Sequence, residues 1–122
     1  RWDRTFDAPY HALRATTDPA AVARGRYLVF GPAHCASCHV SPADRAAFAA
    51  GGEPPLAGGA PFRLPVGTWY PANLTPDSAT GIGRRTDAEL ARALRHNLRH
   101  DGRPLLRAME FERMADDDVV AV

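Results

Sequence analysis

Lysine is absent from this 122-residue sequence, and all 15 basic side chains are arginine. Isoleucine occurs once, as Ile82, and cysteine only twice, as Cys35 and Cys38. With no second cysteine pair, a four-thiolate zinc site is excluded. No apolar run is long enough to span a bilayer. A charge excess is missing too: the formal net charge is +1, which argues against a nucleic-acid partner. There is neither an initiator methionine nor a signal-peptide pattern at Arg1. Turn residues, by contrast, are plentiful at 11 Pro and 10 Gly, so regular structure is expected to be sparse. The length suits one domain with a modest core.

Both cysteines fall within Cys35-Ala36-Ser37-Cys38-His39, a CxxCH pentapeptide. Two thiols and an imidazole at this spacing suit covalent attachment of haem, through two thioether bonds and a histidine ligand to iron. The two intervening residues let one turn of backbone present both sulfurs to neighbouring vinyl groups, and carry His39 under the porphyrin face. A large apolar macrocycle also supplies buried surface that a loop-rich chain lacks. The rival reading of CxxC is a dithiol redox centre. Such motifs normally sit in a βαβ setting, which is not predicted here.

Residues 1–17 read as a polar extended arm or tether, with Trp2, Phe6 and Tyr10 scattered along it and His11 as a surface residue. Residues 18–122 read as the haem domain. Asp18 as N-cap and Pro19 at the first helical position open a helix. Its expected apolar face is Ala20, Ala23, Tyr27 and Phe30, and Gly31-Pro32 ends it. Gly25 makes sense inside that helix if another helix crosses closely, or as a tolerated surface glycine. Residues 41–64 are loop with a short helix at 43–50, and residues 61–70 suit a small hairpin whose prolines limit it to an edge. Thr86 and Glu89 have capping-box spacing. Leu90, Leu94 and Leu98 follow at helical spacing, with Arg92, Arg95 and Arg99 on the polar face. Asn97 is able to serve as a left-handed terminator. Residues 103–114 are irregular, and Asp116, Asp117 and Asp118 start a last helix, where the macrodipole favours carboxylates. That helix stops at Val122 after about two turns, so the natural chain is expected to continue.

His39 is the expected first iron ligand. Candidates for the second are Met109, Met114, His34, His96 and His100. Met109 is favoured because its loop between helices is free to cross the opposite haem face. Met114, beside Phe111, is expected to pack in the core. His34 is too near the anchor to reach the far face. His96 and His100 have an i, i+4 spacing compatible with metal, but they sit among arginines and read as a solvated basic face.

Taken together, four segments resemble the class I type of cytochrome c domain. They are ARGRYLVFGPAHCASCH, PVGTWYPANLTPDSATGIG, TDAELARALRHNLRHDGRPL and AMEFERMADDDVVAV, at 23–39, 65–83, 86–105 and 108–122. The chain is most similar to cytochrome subunits of membrane-bound alcohol, aldehyde and gluconate dehydrogenases and related anchored monohaem cytochromes. The resemblance implies a mainly α, cytochrome c-like fold of a few helices around one covalent haem c, with long Pro/Gly-rich loops and a small β-hairpin. It implies that Cys35 and Cys38 hold the haem, with His39 as proximal and Met109 as distal ligand. Tyr70 and Asn73 would border the haem edge, and the closing helix would pack across the first near Gly25. Three positions depart from the pattern: Arg85 replaces an aromatic residue, Asn97 a glycine, and Glu110 the proline after the methionine. Losing that proline loosens the expected methionine loop.

Since bacterial haem attachment takes place outside the cytoplasmic membrane, the resemblance implies a periplasmic or outer-face location. It also implies a precursor with an export signal or anchor; any membrane contact would run through that anchor or a partner subunit. The arginine-only basic set reads as codon usage of a GC-rich genome, or as guanidinium forks for haem propionates or an acidic partner. The implied function is electron transfer between redox proteins or within an oxidoreductase complex, with no substrate of its own. The alternative is a haem-based small-ligand sensor or haem enzyme whose sixth ligand is labile.

Overall fold

In the computed structural model, which describes residues 3–122, Asp18 starts the first helix as its sequence position predicts. Its Oδ2 accepts the Ala21 N–H at 2.9 Å, and α1 spans Pro19–Phe30. The remaining elements are α2 (Cys35–His39), α3 (Arg45–Ala49), β1 (Phe62–Leu64), β2 (Gly67–Trp69), α4 (Asp87–His96) and α5 (Asp116–Ala121). A single 3-10 turn, Pro42–Asp44, leads into α3. The described chain is thus partly helical, with one small antiparallel sheet. Among the described residues, no helix is long and apolar enough to cross a membrane. Trp2, first of the expected arm aromatics, lies outside the described residues.

The chain divides into two compact units: the part up to Arg26 together with Arg85–Val122, and Tyr27–Arg84. In the first, α4 is closed at both ends by its own sequence. Thr86 and Glu89 form a reciprocal capping box, and Asn97 ends the helix at φ 53° and ψ 40°. Both match expectation, the second because asparagine tolerates the left-handed region better than most residues with a side chain.

Also in the first unit, α5 crosses α1 at Gly25. A Cβ built there would lie 1.7 Å from the Ala121 carbonyl oxygen, so the close-crossing explanation of that glycine holds. Arg24 clamps the same crossing, its Nη2 donating to Asp118 Oδ2 at 3.0 Å and its Nε to Oδ1 at 2.5 Å. The clash at Gly25 is with backbone, which no rotamer change relieves. Gly25→Ala, elsewhere in a helix a gain, is therefore expected to cost about 1–3 kcal/mol here. Denaturant titration checks the sign, and a stabilised variant would contradict the crossing.

The buried residues of α1 differ from its expected apolar face. Gly25 and Leu28 are buried, whereas Ala20, Ala23 and Tyr27 are exposed and Phe30 is half-buried.

Residues 4–18 carry no helix or strand, and the described part is tied down within its unit. Phe6 N–H donates to the Gly102 carbonyl at 2.9 Å and Thr16 N–H to Val120 at 3.0 Å, while Ala15 N–H donates to Asp87 Oδ2 at 2.9 Å. Arg92, expected on a solvated face, is only 5% exposed. It donates to the Tyr10 hydroxyl at 2.6 Å and the Phe6 carbonyl at 3.3 Å, with its guanidinium 4.7 Å from the Tyr10 ring centre. Arg92 therefore grips another segment, while Arg99 and His100, expected on the same polar face, are exposed.

In the second unit the predicted short helix and hairpin both form. β1 and β2 pair with Phe62 opposite Trp69 and Leu64 opposite Gly67. The hairpin is largely exposed, Phe62, Leu64 and Val66 included.

Candidate functional site

Helix α2 is the CxxCH motif itself. Gly31 receives the His34 N–H, and the His34 carbonyl receives the Ser37 N–H. His34 takes the left-handed conformation at φ 57° to start the helix, which gives this residue a backbone role and leaves its side chain exposed. Cys35 and Cys38 are both free thiols, each half-buried. Burial raises the Cys35 thiol above its ordinary pKa, against a backbone N–H that lowers it and with a smaller push from Cys38.

His39 is 8% exposed, and its Nδ1 lies 2.8 Å from the Ala72 carbonyl oxygen. A carbonyl only accepts, so Nδ1 carries a proton, and in the neutral ring the lone pair is on Nε2. This is the tautomer an imidazole needs to bind a metal, with its orientation fixed by a second group. The backbone around Ala72 is itself held. Gly58 N–H donates to the His39 carbonyl at 2.9 Å, Gly59 N–H to Pro71 at 3.3 Å, and Leu74 N–H to Leu56 at 2.8 Å. A Cβ on Gly59 would sit 1.7 Å from the Cys38 carbonyl oxygen. Residues 56–59 thus bind α2 to residues 71–74, and part of the long loop serves as a clasp.

Asn73, expected beside a haem edge, organises its own loop. Its Oδ1 accepts from the Thr75 N–H at 2.9 Å and the Thr75 hydroxyl at 2.6 Å, and its Nδ2 donates to Thr80 Oγ1 at 2.9 Å. Asp77 caps the same loop through Thr80, whose backbone and hydroxyl bonds hold the carboxyl below the usual range. Tyr70 is 73% exposed.

The described structure thus brings Cys35, Cys38 and His39 together with the Ala72 carbonyl, which the sequence reading missed. The His39 imidazole and two cysteine side chains outside any disulfide, all on one short helix, form a donor set that fits a covalently anchored haem. Met109 belongs to the other unit, half-buried in the irregular stretch before α5, as is Met114.

His96 is committed elsewhere. Its Nε2 lies 2.8 Å from Nε2 of His11. With ring centres 5.0 Å apart at an interplanar angle of 14°, the rings meet end to end, one nitrogen donating and the other accepting. Neither is a free surface residue, which corrects the expectation for both. Partial burial lowers the His96 pKa, helped by His11, Arg92 and Arg95. A depressed imidazole binds fewer protons folded than unfolded, so stability is full above the ordinary value of 6.5 and falls as pH drops below it. We expect the thermal midpoint to decline between about pH 7 and pH 5, and His96→Gln to flatten that decline. An equally steep decline in the variant would contradict the assignment.

No protein-family profile matches the chain. It is, however, similar to proteins of known role. It is 38% identical to the cytochrome c subunit of alcohol dehydrogenase (quinone) from Gluconacetobacter polyoxogenes, over 97% of this chain and 25% of that protein. It is 35% identical to the fructose dehydrogenase cytochrome subunit of Gluconobacter japonicus, over 91% and 22%. It is 36% identical to the gluconate 2-dehydrogenase cytochrome c subunit of Pantoea cypripedii, over 84% and 22%. The chain spans about a quarter of the length of these relatives.

Proposed function

Starting from a chain homologous with part of the cytochrome c subunits of bacterial dehydrogenases, we propose that it is a monohaem electron-transfer domain of the cytochrome c type. Residues 18–122 form that domain and residues 1–17 its N-terminal arm. Bound haem c supplies a one-electron iron couple. Cys35 and Cys38 hold it covalently, His39 Nε2 is the proximal ligand, and Met109 is the distal one. Tyr70 and Asn73 belong to the loop bordering the haem, where Asn73 shapes the backbone that presents the Ala72 carbonyl. The observation that carries this reading is the hydrogen bond from His39 Nδ1 to that carbonyl, which leaves Nε2 available.

The chain's own residues have a limited task. They bind and orient the group, keep His39 in one tautomer and limit water at the ligands, and none acts on a substrate. The domain is therefore a carrier and not a catalytic subunit. Its partners are redox proteins within an oxidoreductase complex, in keeping with the roles in the relatives' names. It works in the periplasm or on the outer face of the cytoplasmic membrane, where any membrane association runs through a partner subunit or anchor outside these residues.

Reduced holoprotein exposed to carbon monoxide tests the reading against the sensor or haem-enzyme alternative. A carrier with both axial positions filled shows little spectral change. Avid binding would favour the alternative.

A further inference from the structure

Arg95 lies on α4 with its side chain only 10% exposed, and all its observed partners come from one segment. Nη1 donates to the carbonyls of Phe111 at 3.3 Å and Glu112 at 3.1 Å, and to that of Met114. Nη2 donates to the Asp116 carboxylate at 2.5 Å. One guanidinium thus gathers the chain from 111 to 116, beginning two residues after Met109. The other end of this stretch is tied to the end of the same helix. Leu105 N–H donates to the Asn97 carbonyl at 2.7 Å, and Asn97 Nδ2 donates to Glu112 Oε1 at 3.0 Å. Met109 lies between the two tethers.

This arrangement bears on Glu110, which stands where the resemblance predicts a proline. A proline stiffens its loop by fixing φ. Here that restraint is absent, and a rigid planar fork with several donors supplies another. We propose that Arg95 is the positioning residue of Met109: by pinning residues 111–116 to α4 it keeps the methionine sulfur from leaving the iron. The proposal rests on Met109 as the distal ligand. Lysine is a poor substitute, since one ammonium with no planar fork cannot serve three carbonyls and a carboxylate at once.

Arg92 provides the control. It is a buried arginine on the same helix, but it grips the Tyr10 hydroxyl and the Phe6 carbonyl. A general loss of stability would arise from either arginine, whereas a loosened methionine loop should follow only from Arg95.

The test is an imidazole titration of oxidised holoprotein, following the weak far-red band of ferric methionine ligation. Arg95→Gln is expected to bind imidazole about tenfold or more tighter than wild type, the scale of one lost hydrogen bond to a charged donor. Arg95→Lys should fall between, and Arg92→Gln should match wild type. An Arg95→Gln protein that is folded by circular dichroism and has wild-type imidazole affinity overturns the proposal. Should that variant fail to fold, Asp116→Asn decides: its partner carboxylate is 72% exposed, so the fold should survive, and unchanged affinity there overturns the proposal. A wild-type protein without the far-red band would instead show that the Met109 reading is wrong, and the proposal falls with it.

Discussion

Met109→Ala is expected to lower the reduction potential of the haem by on the order of 0.1 V or more, within the roughly 0.8 V range that axial ligands span. The thioether is a soft, neutral ligand that favours the reduced iron, and methionine–histidine ligation holds a higher potential than two histidines. Removing it leaves alanine, which has no donor, while His39 stays oriented by the Ala72 carbonyl. The variant should therefore keep its haem, lose the far-red band and gain affinity for imidazole and carbon monoxide. Potentiometric titration of both proteins checks this. An unchanged potential, with the band intact, would give the distal position to another residue. Among the sequence candidates, His96 is already paired with His11 and the His34 backbone starts α2.

The second large effect concerns stability. Among the described residues the buried apolar set is Leu28, Ala36, Val40, Ala91, Leu98 and Val119, and two of the six are alanine. Val40 is the largest side chain below 2% exposure. A bound haem would add apolar burial to this set, against the chain entropy that folding costs. Anything bound only by the native state contributes its binding free energy to folding. The double variant Cys35→Ala/Cys38→Ala, purified free of haem, is therefore expected to lose a cooperative thermal transition. A loss of about 5–15 kcal/mol would equal the whole stability of an ordinary small domain. Near-ultraviolet circular dichroism against temperature measures it. A haem-free double variant that melts sharply at the wild-type temperature would contradict the dependence on haem.

What could be read from the sequence is what chain neighbours decide. The Asp18 cap, the Thr86–Glu89 box and the left-handed Asn97 each act over a few residues, and all three form. The hairpin at 62–69 follows from its own short segment. Helix α2 and its paired thiols are likewise local.

Tertiary partners were not legible. Ala72 meets His39 through a backbone carbonyl 33 positions away, and a carbonyl has no sequence signature. His11 and His96 are 85 positions apart, so the sequence offered His11 as a surface residue and His96 as a candidate ligand on a basic face, with nothing to pair them. Periodicity placed Arg92 and Arg95 on the polar side of α4 but could not tell solvated guanidinium from one gripping another segment. For α1 a signal was present in Gly25, which the sequence left open between a close crossing and a tolerated surface glycine. The larger apolar residues nevertheless suggested the wrong inward face.

The most direct test of the account is an intact mass spectrum of the protein from a maturation-competent host, recorded under denaturing conditions. The expected result is the polypeptide mass plus one haem, with the addition mapping to the peptide containing Cys35 and Cys38. The polypeptide mass alone would contradict it.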